Sequence, residues 1–163
     1  KILVTGARGS SVGILCPNCV NPIGKGRVLW RSSVDAVYAY DIDSTPEELD
    51  RYCKDCDFVF NLAGVNRPQK QEEFMQGNFG FASTLLDTLK KHHNNVGDDF
   101  QFDTGNLGRP FGTSEYGKSK KAGEELMFKY GEETGARCWC IVFRIFSGNG
   151  VVRTTTAQWL PFA

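Results

Sequence analysis

Asp57-Phe-Val-Phe-Asn-Leu-Ala-Gly64 is the clearest buried strand in this chain of 163 residues. Its core is a continuous apolar run, which is typical of a strand covered on both faces of a parallel sheet. The run ends in Asn61, Ala63 and Gly64, which are polar or small residues. Ligands of parallel sheets bind beyond the carboxyl ends of the strands, so we expect these three residues to face one.

Lys1-Ile-Leu-Val-Thr-Gly6 has the same character and predicts another buried parallel strand, which runs into a turn. The turn continues to Gly9, and glycines at such positions let the backbone approach a pyrophosphate at the start of a helix. A dinucleotide-binding turn would have its third glycine at position 12, but Val12 stands there and Gly13 comes one residue late. We therefore expect a dinucleotide turn that departs from the usual spacing.

The rest of the pattern alternates strands and helices. Thr45-Pro-Glu-Glu48 is a capping box with proline at the first helical position, so a helix should begin there and run to about Lys54. The other predicted elements are strands at 36–40 and 139–146, a weak strand at 100–102, a helical region after Pro68, and a helix from Tyr116 to about Thr134 capped by Gly135. This order predicts one domain, 1–163, with a Rossmann-like, doubly wound parallel α/β sheet that is incomplete at its C-terminal side.

Two polar residues stand out within this pattern. Asp41 closes the strand at 36–40, where an acid would bind a ribose 2′-hydroxyl and repel a 2′-phosphate, although an ordinary turn aspartate is an equal interpretation. Asn78 interrupts the apolar stripe of the helical region, on a face that should look toward the site.

Tyr116-Gly-Lys-Ser-Lys120 opens the long helix, and residues four apart share one helix face. An ammonium beside a phenol favours the phenolate, so we expect Lys120 to lower the pKa of Tyr116 from its usual value near ~10. Tyr116 would then serve as a general acid toward a ketone or a base toward an alcohol. The alternative interpretation of this spacing is an ordinary exposed lysine that follows a tyrosine in the capping region of the helix.

Composition argues against several other classes. The formal net charge is zero and there is no long basic run, so we expect no nucleic-acid partner. No apolar stretch approaches the ~20 residues of a membrane span, and no signal peptide precedes the first strand. We therefore expect a cytoplasmic protein without a membrane partner.

Six cysteines raise the question of a zinc site. Cys16-Pro-Asn-Cys19 and Cys53-Lys-Asp-Cys56 have the CxxC spacing of zinc ligands. The second pair lies where a helix runs into a strand, however, and Cys138 and Cys140 alternate along an apolar strand, where free cysteine acts as a small hydrophobe. We expect no metal, and a small zinc module is the less favoured alternative.

Four motifs, in this order, resemble the extended short-chain dehydrogenase/reductase superfamily, also known as the NAD-dependent epimerase/dehydratase superfamily. They are Thr5-Gly6-Ala7-Arg8-Gly9, Asn61-Leu62-Ala63-Gly64, Asn78-Phe79-Gly80 and Tyr116-Gly-Lys-Ser-Lys120. Residues 58–68 and 116–125 further resemble the reductase domain of the capsular-polysaccharide UDP-sugar reductases. In that family a cupin epimerase domain follows, and a UDP-2-acetamido-2,6-dideoxy-4-keto-hexose is reduced with NADPH.

The resemblance implies an oxidoreductase or epimerase of capsular or surface polysaccharide biosynthesis that uses NAD or NADP. Residues that it places at the cofactor are Gly6, Gly9, Asp41, Asn61, Ala63, Gly64 and Lys120. Asp41 departs from a clear NADP preference, so the choice between NAD and NADP stays open. The family also allows a homodimer of full-length chains.

The resemblance also implies catalytic and substrate roles. Tyr116 would donate the proton with Lys120 as its partner, and Asn66 and Arg67 would lie near the UDP-sugar. The family carries a Ser or Thr about a dozen residues before the tyrosine, which polarises the substrate carbonyl. Here only Thr104 is near that spacing, within a segment that does not match the family.

The resemblance is close over residues 1–9, about 35–95 and about 114–137, and absent between them. When codons for the family's residues are read one base late, they can encode residues 138–157 of this chain. A similar shift of reading frame explains the late glycine after Val12. We interpret the chain as a truncated, frameshifted copy without the substrate region and cupin, and expect feeble or no activity. An inert nucleotide-binding fragment is the alternative. The coding DNA tests this interpretation, because another reading frame must restore the family's residues.

Overall fold

The computed structural model describes residues 1–9, 35–65, 68–94, 100–103 and 114–141. Strands and helices alternate along these residues. They are β1 (Ile2–Thr5), β2 (Val37–Tyr40), α1 (Pro46–Asp55), β3 (Phe58–Asn61), α2 (Glu72–Phe74), a π-helical turn (Met75–Gly80), α3 (Phe81–Lys91), β4 (Phe100–Asp103), α4 (Glu115–Thr134) and β5 (Cys138–Ile141).

The five strands form one parallel sheet in the order β2-β1-β3-β4-β5. The chain therefore moves outward in one direction from β1 to β2, and in the other from β3 to β5. Doubly wound sheets of this order bind ligands in the crevice where the direction reverses, which here is between β1 and β3. The predicted Rossmann-like α/β fold is confirmed. The last strand begins at Cys138, one residue before the predicted start, and residues 142–146 lie outside the described part.

Strand register brings the polar strand ends to one level. Thr5, the last residue of β1, pairs with Tyr40 of β2 and with Asn61 of β3. Gly6, Asp41 and the residues after Asn61 therefore leave the sheet along the same edge. This edge is where the sequence predicted a ligand.

The described helices share one buried cluster with the sheet. Its buried members are Leu3, Leu49, Cys53, Cys56, Val59, Ala82, Leu85, Leu86, Leu89, Met127, Tyr130, Ala136 and Cys138. Val4 and Phe60, which alternate with Leu3 and Val59 along β1 and β3, belong to a second cluster. The three helices α1, α3 and α4 thus pack together on one face of the sheet, and their inward residues follow the helical period that the sequence shows.

Cys53, Cys56 and Cys138 are core residues. Burial raises the pKa of the Cys56 thiol to about 12 and that of Cys138 to about 11, so both stay protonated and apolar at neutral pH. Among the described residues no group of three His, Cys, Asp or Glu side chains is placed to hold a metal. Cys16 and Cys19 lie outside those residues.

Helix boundaries follow the predicted caps. Thr45 Oγ1 accepts from the Glu48 amide at 3.3 Å, and the Glu48 carboxylate accepts from the Thr45 amide at 2.9 Å, which completes the capping box. Gly135 ends α4 in the left-handed conformation with φ +77°. None of the described helices combines the length and the apolar character that a membrane span requires.

Asp50 joins α1 to the end of α3 and should make stability depend on pH. Its Oδ1 accepts from Lys91 Nζ at 2.6 Å, and His92 Nε2 lies 3.0 Å from the same oxygen. The hydrogen bond from Lys91, with help from His92, lowers the pKa of Asp50 in the folded chain. A lowered pKa contributes stability above the unfolded value of about 3.9, which is lost as the pH falls through the folded value.

We therefore expect Asp50→Asn to flatten the loss of stability between about pH 5 and pH 2 relative to the wild type. Urea unfolding followed by circular dichroism at several pH values measures this. Asp87→Asn is the control, because Asp87 is exposed on α3 and does not join the two helices. Parallel pH profiles for the wild type and Asp50→Asn would contradict the proposed contribution.

Candidate functional site

Thr5 and Asn61 fix the carboxyl ends of β1 and β3 to each other. The Thr5 hydroxyl donates to Asn61 Oδ1 at 2.6 Å and accepts from the Ala63 amide at 3.3 Å. Both side chains are buried. Asn61, which was predicted to face a cofactor, has its amide oxygen engaged by Thr5, so its side chain also organises the strand ends.

The turn after β1 packs directly on the backbone after β3. Gly6 has φ +64°, and a Cβ on it would lie 2.8 Å from both the amide nitrogen and the Cα of Ala63. Only glycine satisfies both the left-handed conformation and this close approach. The Gly9 amide donates to the Gly6 carbonyl at 2.8 Å and closes the turn. The predicted glycine-dependent turn is present, and it leaves backbone rather than side chains at the crevice.

Asp41 ties the end of β2 to the same turn. Its carboxylate accepts from the Arg8 amide at 2.7 Å and from the Ile42 amide at 2.8 Å. Beside it is a cavity of about 440 Å³, within the range of small-molecule sites. The described residues that line this cavity are Val4, Ala7, Arg8, Val37, Ala39, Asp41, Asp43, Ser44 and Glu48. Asp41 is therefore both a turn residue and a residue of the sheet-edge cavity.

Lys120 is buried against the end of β3. The residue is only 9% exposed. Its ammonium lies so close to Gly64 that a Cβ on this glycine would be 2.7 Å from Lys120 Nζ. The ammonium is 5.8 Å from the centre of the Tyr116 ring. The structure therefore rules out the ordinary exposed lysine. It places the Tyr116–Lys120 pair beside the strand-end residues that the sequence had singled out.

Tyr116 is positioned by the start of α4 and by a neighbouring ring. Ser114 caps the helix by accepting from the Gly117 amide at 3.1 Å. Phe74 meets the Tyr116 ring edge-to-face, with 5.5 Å between ring centres. The phenol is half-buried, as a group that exchanges protons with a ligand should be.

Asn78 holds three segments together. Its Oδ1 accepts from the Val65 amide at 2.9 Å, and its Nδ2 donates to the Val65 carbonyl at 3.3 Å and to Ser119 Oγ at 2.9 Å. Ser119 Oγ in turn donates to the Tyr116 carbonyl at 2.8 Å. The loop after β3, the helical stretch and α4 are therefore connected through one buried amide.

A π-helical turn supports this arrangement. Asn78 lies within Met75–Gly80, where the widened turn departs from the period of an ordinary helix. A Cβ on Gly77 would lie 2.2 Å from Val65 Cγ2, so the missing side chain makes room for the loop. Sequence periodicity identified Asn78 as a polar exception but could not show the widened turn or the partner at Val65.

A second, small cavity of about 20 Å³ lies beside Lys120, large enough for one water molecule. Its described lining combines Asn61, Ala63, Asn78, Ala82, Ser119, Lys120, Gly123, Glu124 and Met127. Burial raises the pKa of the Glu124 carboxyl. Asn66 and Arg67, which were predicted to lie near the UDP-sugar, and Thr104, the candidate for the carbonyl-polarising catalytic residue, lie outside the described residues.

Comparison with known proteins gives one curated relative and several solved structures. No family model matches the chain. The chain is 31% identical over 149 residues to UDP-2-acetamido-2,6-beta-L-arabino-hexul-4-ose reductase of Pseudomonas aeruginosa. The match covers 89% of this chain, which spans only 35% of the length of that relative.

Among solved structures, the capsular polysaccharide assembling protein CapF from Staphylococcus aureus superposes with a TM-score of 0.60 at 28% identity, over 87% of this chain and 35% of that one. UDP-glucuronic acid 4-epimerase from Bacillus cereus, in complex with UDP-glucuronic acid and NAD, gives a TM-score of 0.64 at 19% identity. That match covers 89% of this chain and 57% of the epimerase, and it supports the fold alone.

Gly6 and Gly135 provide a matched test of the close approach at the strand ends. Both have positive φ, but a Cβ on Gly135 meets nothing within 4 Å whereas one on Gly6 meets the Ala63 backbone. We expect Gly135→Ala to cost about 1–2 kcal/mol of unfolding free energy, and Gly6→Ala to cost about 1–3 kcal/mol more. Urea unfolding measures both values, and equal losses would contradict the packing of the turn on β3.

Proposed function

Because the chain belongs to the extended short-chain dehydrogenase/reductase superfamily, we propose that it is the cofactor-binding part of an NAD(P)-dependent UDP-sugar reductase or epimerase. The proposal treats residues 1–163 as a single NAD(P)-binding domain of a longer protein. The observation that carries it is the position of the Lys120 ammonium, buried between Tyr116 and Gly64 at the carboxyl edge of the sheet.

The residues at this edge fit a dinucleotide. Gly6 leaves no side chain between the turn and the strand ends, so a pyrophosphate would meet backbone amides. Asp41 borders the cavity along β1 and β2 at the carboxyl end of β2, where its carboxylate oxygens would accept from ribose hydroxyls. Ala63 and Gly64 would lie under the rest of the cofactor, and Lys120 would hold the ribose nearest the reacting ring. Bound there, NAD or NADP supplies the hydride chemistry.

Tyr116 would act as the proton donor. Its phenol would give a proton to the oxygen of a sugar ketone as the carbonyl carbon is reduced, which leaves a phenolate beside Lys120. The ammonium stabilises that negative charge, and the buried position of Lys120 strengthens the effect because little water screens it. Asn78 would keep this geometry by fastening α4 to the loop after β3.

The substrate that we propose is a UDP-linked 4-keto-6-deoxy amino sugar of capsular or surface polysaccharide biosynthesis. The curated relative, which is a reductase of such a sugar, supports this choice. Asn66 and Arg67 would lie near the nucleotide, and Thr104 would occupy the place of the carbonyl-polarising residue. We place the reaction in the cytoplasm, and the full-length protein in a homodimer.

We also propose that the chain is a frameshifted copy whose turnover is feeble. The match covers 35% of the curated relative, so most of the length of that relative has no counterpart in the match. The second candidate is therefore an inert fragment that binds the cofactor without turnover. Cofactor binding tests what the two candidates share, and turnover distinguishes them.

Lys120→Met should weaken NADH binding about tenfold or more, because the ammonium at Gly64 is lost from the cofactor edge. Lys121→Met is the matched control, since the next residue on α4 is exposed and pairs with Glu125. Titration of NADH followed by its own fluorescence measures the Kd of each variant. Equal Kd values for the two variants, or no saturable binding by the wild type, would contradict the proposed cofactor site.

For turnover, we expect no oxidation of NADH or NADPH above the blank when purified 1–163 is mixed with a UDP-4-keto-sugar and followed at 340 nm. A rate above the blank would overturn the proposed impairment. Any such rate should then fall by about 100-fold or more in Tyr116→Phe, because the general acid is lost, but not in Tyr52→Phe. Tyr52 is on α1, stacked on Tyr38.

A further inference from the structure

Arg8 and Asp43 form an ion pair at the cavity that lies along β1 and β2. An Nη atom of Arg8 lies 2.7 Å from Asp43 Oδ2, and the side chains are 74% and 53% exposed. The main chain of Arg8 is held separately, because its amide donates to Asp41. The guanidinium is thus directed by one aspartate while the backbone is fixed by another.

Acidic groups dominate this cavity. Among its described lining residues, Asp41, Asp43 and Glu48 carry carboxylates, and Arg8 is the basic residue. Glu48 is committed to the capping box of α1. The charge that Arg8 could offer to an anion is therefore already balanced by Asp43.

The pairing of Arg8 with Asp43 affects which of the two pyridine dinucleotides, NAD or NADP, can bind. NADP carries a phosphate on the ribose 2′-oxygen, where NAD has a hydroxyl, and an arginine at this point of the fold accommodates that phosphate. A guanidinium binds phosphate through two parallel N–H donors, so it must be free to turn toward it. In this chain an Nη atom of Arg8 is already paired with Asp43, so the guanidinium must leave that carboxylate before it can turn toward a phosphate.

We propose that Asp43 is a specificity-determining residue, which makes the chain select NAD over NADP by holding the Arg8 guanidinium. The inference rests on the proposed function, because it requires a dinucleotide at this edge of the sheet. Asp43 acts through Arg8 and need not touch the cofactor. Asp41, in contrast, would itself contact the ribose, and it also ties β2 to the glycine turn.

The expected effect is modest because both side chains are largely exposed and water screens their attraction. Asp43→Asn should tighten NADPH binding about three- to tenfold and change NADH binding less than about twofold. The gain should shrink at high ionic strength. The backbone amides of Arg8 and Ile42 donate to Asp41, and it is this residue that fastens the turn. Substitution of Asp43 should therefore leave the fold in place.

The experiment measures Kd for NADH and NADPH by cofactor fluorescence in the full chain. It compares the wild type, Asp43→Asn and Asp35→Asn, the last being the same chemical change on an exposed residue before β2, at the opposite edge of the sheet. We expect the ratio of the NADPH and NADH Kd values to fall only in Asp43→Asn. A wild type that prefers NADPH, or an unchanged ratio in Asp43→Asn, would overturn the inference.

Arg8→Gln separates release of the guanidinium from simple removal of a negative charge. The amide of residue 8 still reaches Asp41 in this variant, so the turn is kept. If Asp43 acts through Arg8, Asp43→Asn should give no gain in NADPH affinity when Arg8→Gln is also present. A gain that persists in the double variant would overturn the role of the ion pair. A wild type that binds neither dinucleotide would instead overturn the proposed function itself.

Discussion

The structure at the carboxyl edge of the sheet depends on the close approach of Gly6 and Lys120 to the backbone that follows β3. Gly6 comes within the distance at which even a Cβ would clash with Ala63, and Lys120 Nζ occupies the space where a side chain on Gly64 would stand. Burying an ammonium is costly unless nearby groups or a ligand compensate it. Lys120 is 9% exposed at the sheet edge, and buried titratable groups that lie in a crevice are candidates for functional sites.

Asn78 gives this edge its rigidity. The amide binds both polar groups of Val65 and also reaches Ser119, so the loop after β3 cannot move without disturbing the start of α4. The widened turn at Met75–Gly80 is the local irregularity that allows it. Single π-helical turns are frequent at functional sites, and Ser119, to which Asn78 donates, donates in turn to the Tyr116 carbonyl.

Much of this arrangement could be predicted from local sequence. The capping box at Thr45, the glycine cap at Gly135 and the apolar strands follow from rules that involve neighbouring residues. The spacing of Tyr116 and Lys120 was equally visible, but the burial of the lysine was not. Three features escaped prediction because they join residues far apart in the chain or break a regular period. They are the Thr5–Asn61 hydrogen bond, the Asn78–Val65 pairing across the π-helical turn, and the Arg8–Asp43 ion pair.

The central claim is that the turn after β1, the end of β3 and the start of α4 form one dinucleotide site. Amide chemical shifts of the ¹⁵N-labelled chain during titration with NADH test it most directly, because each segment reports separately. We expect the amides of Gly6, Gly64 and Lys120 to shift together and to saturate with one Kd. Shifts confined to one of these segments, or absent from all three, would contradict it.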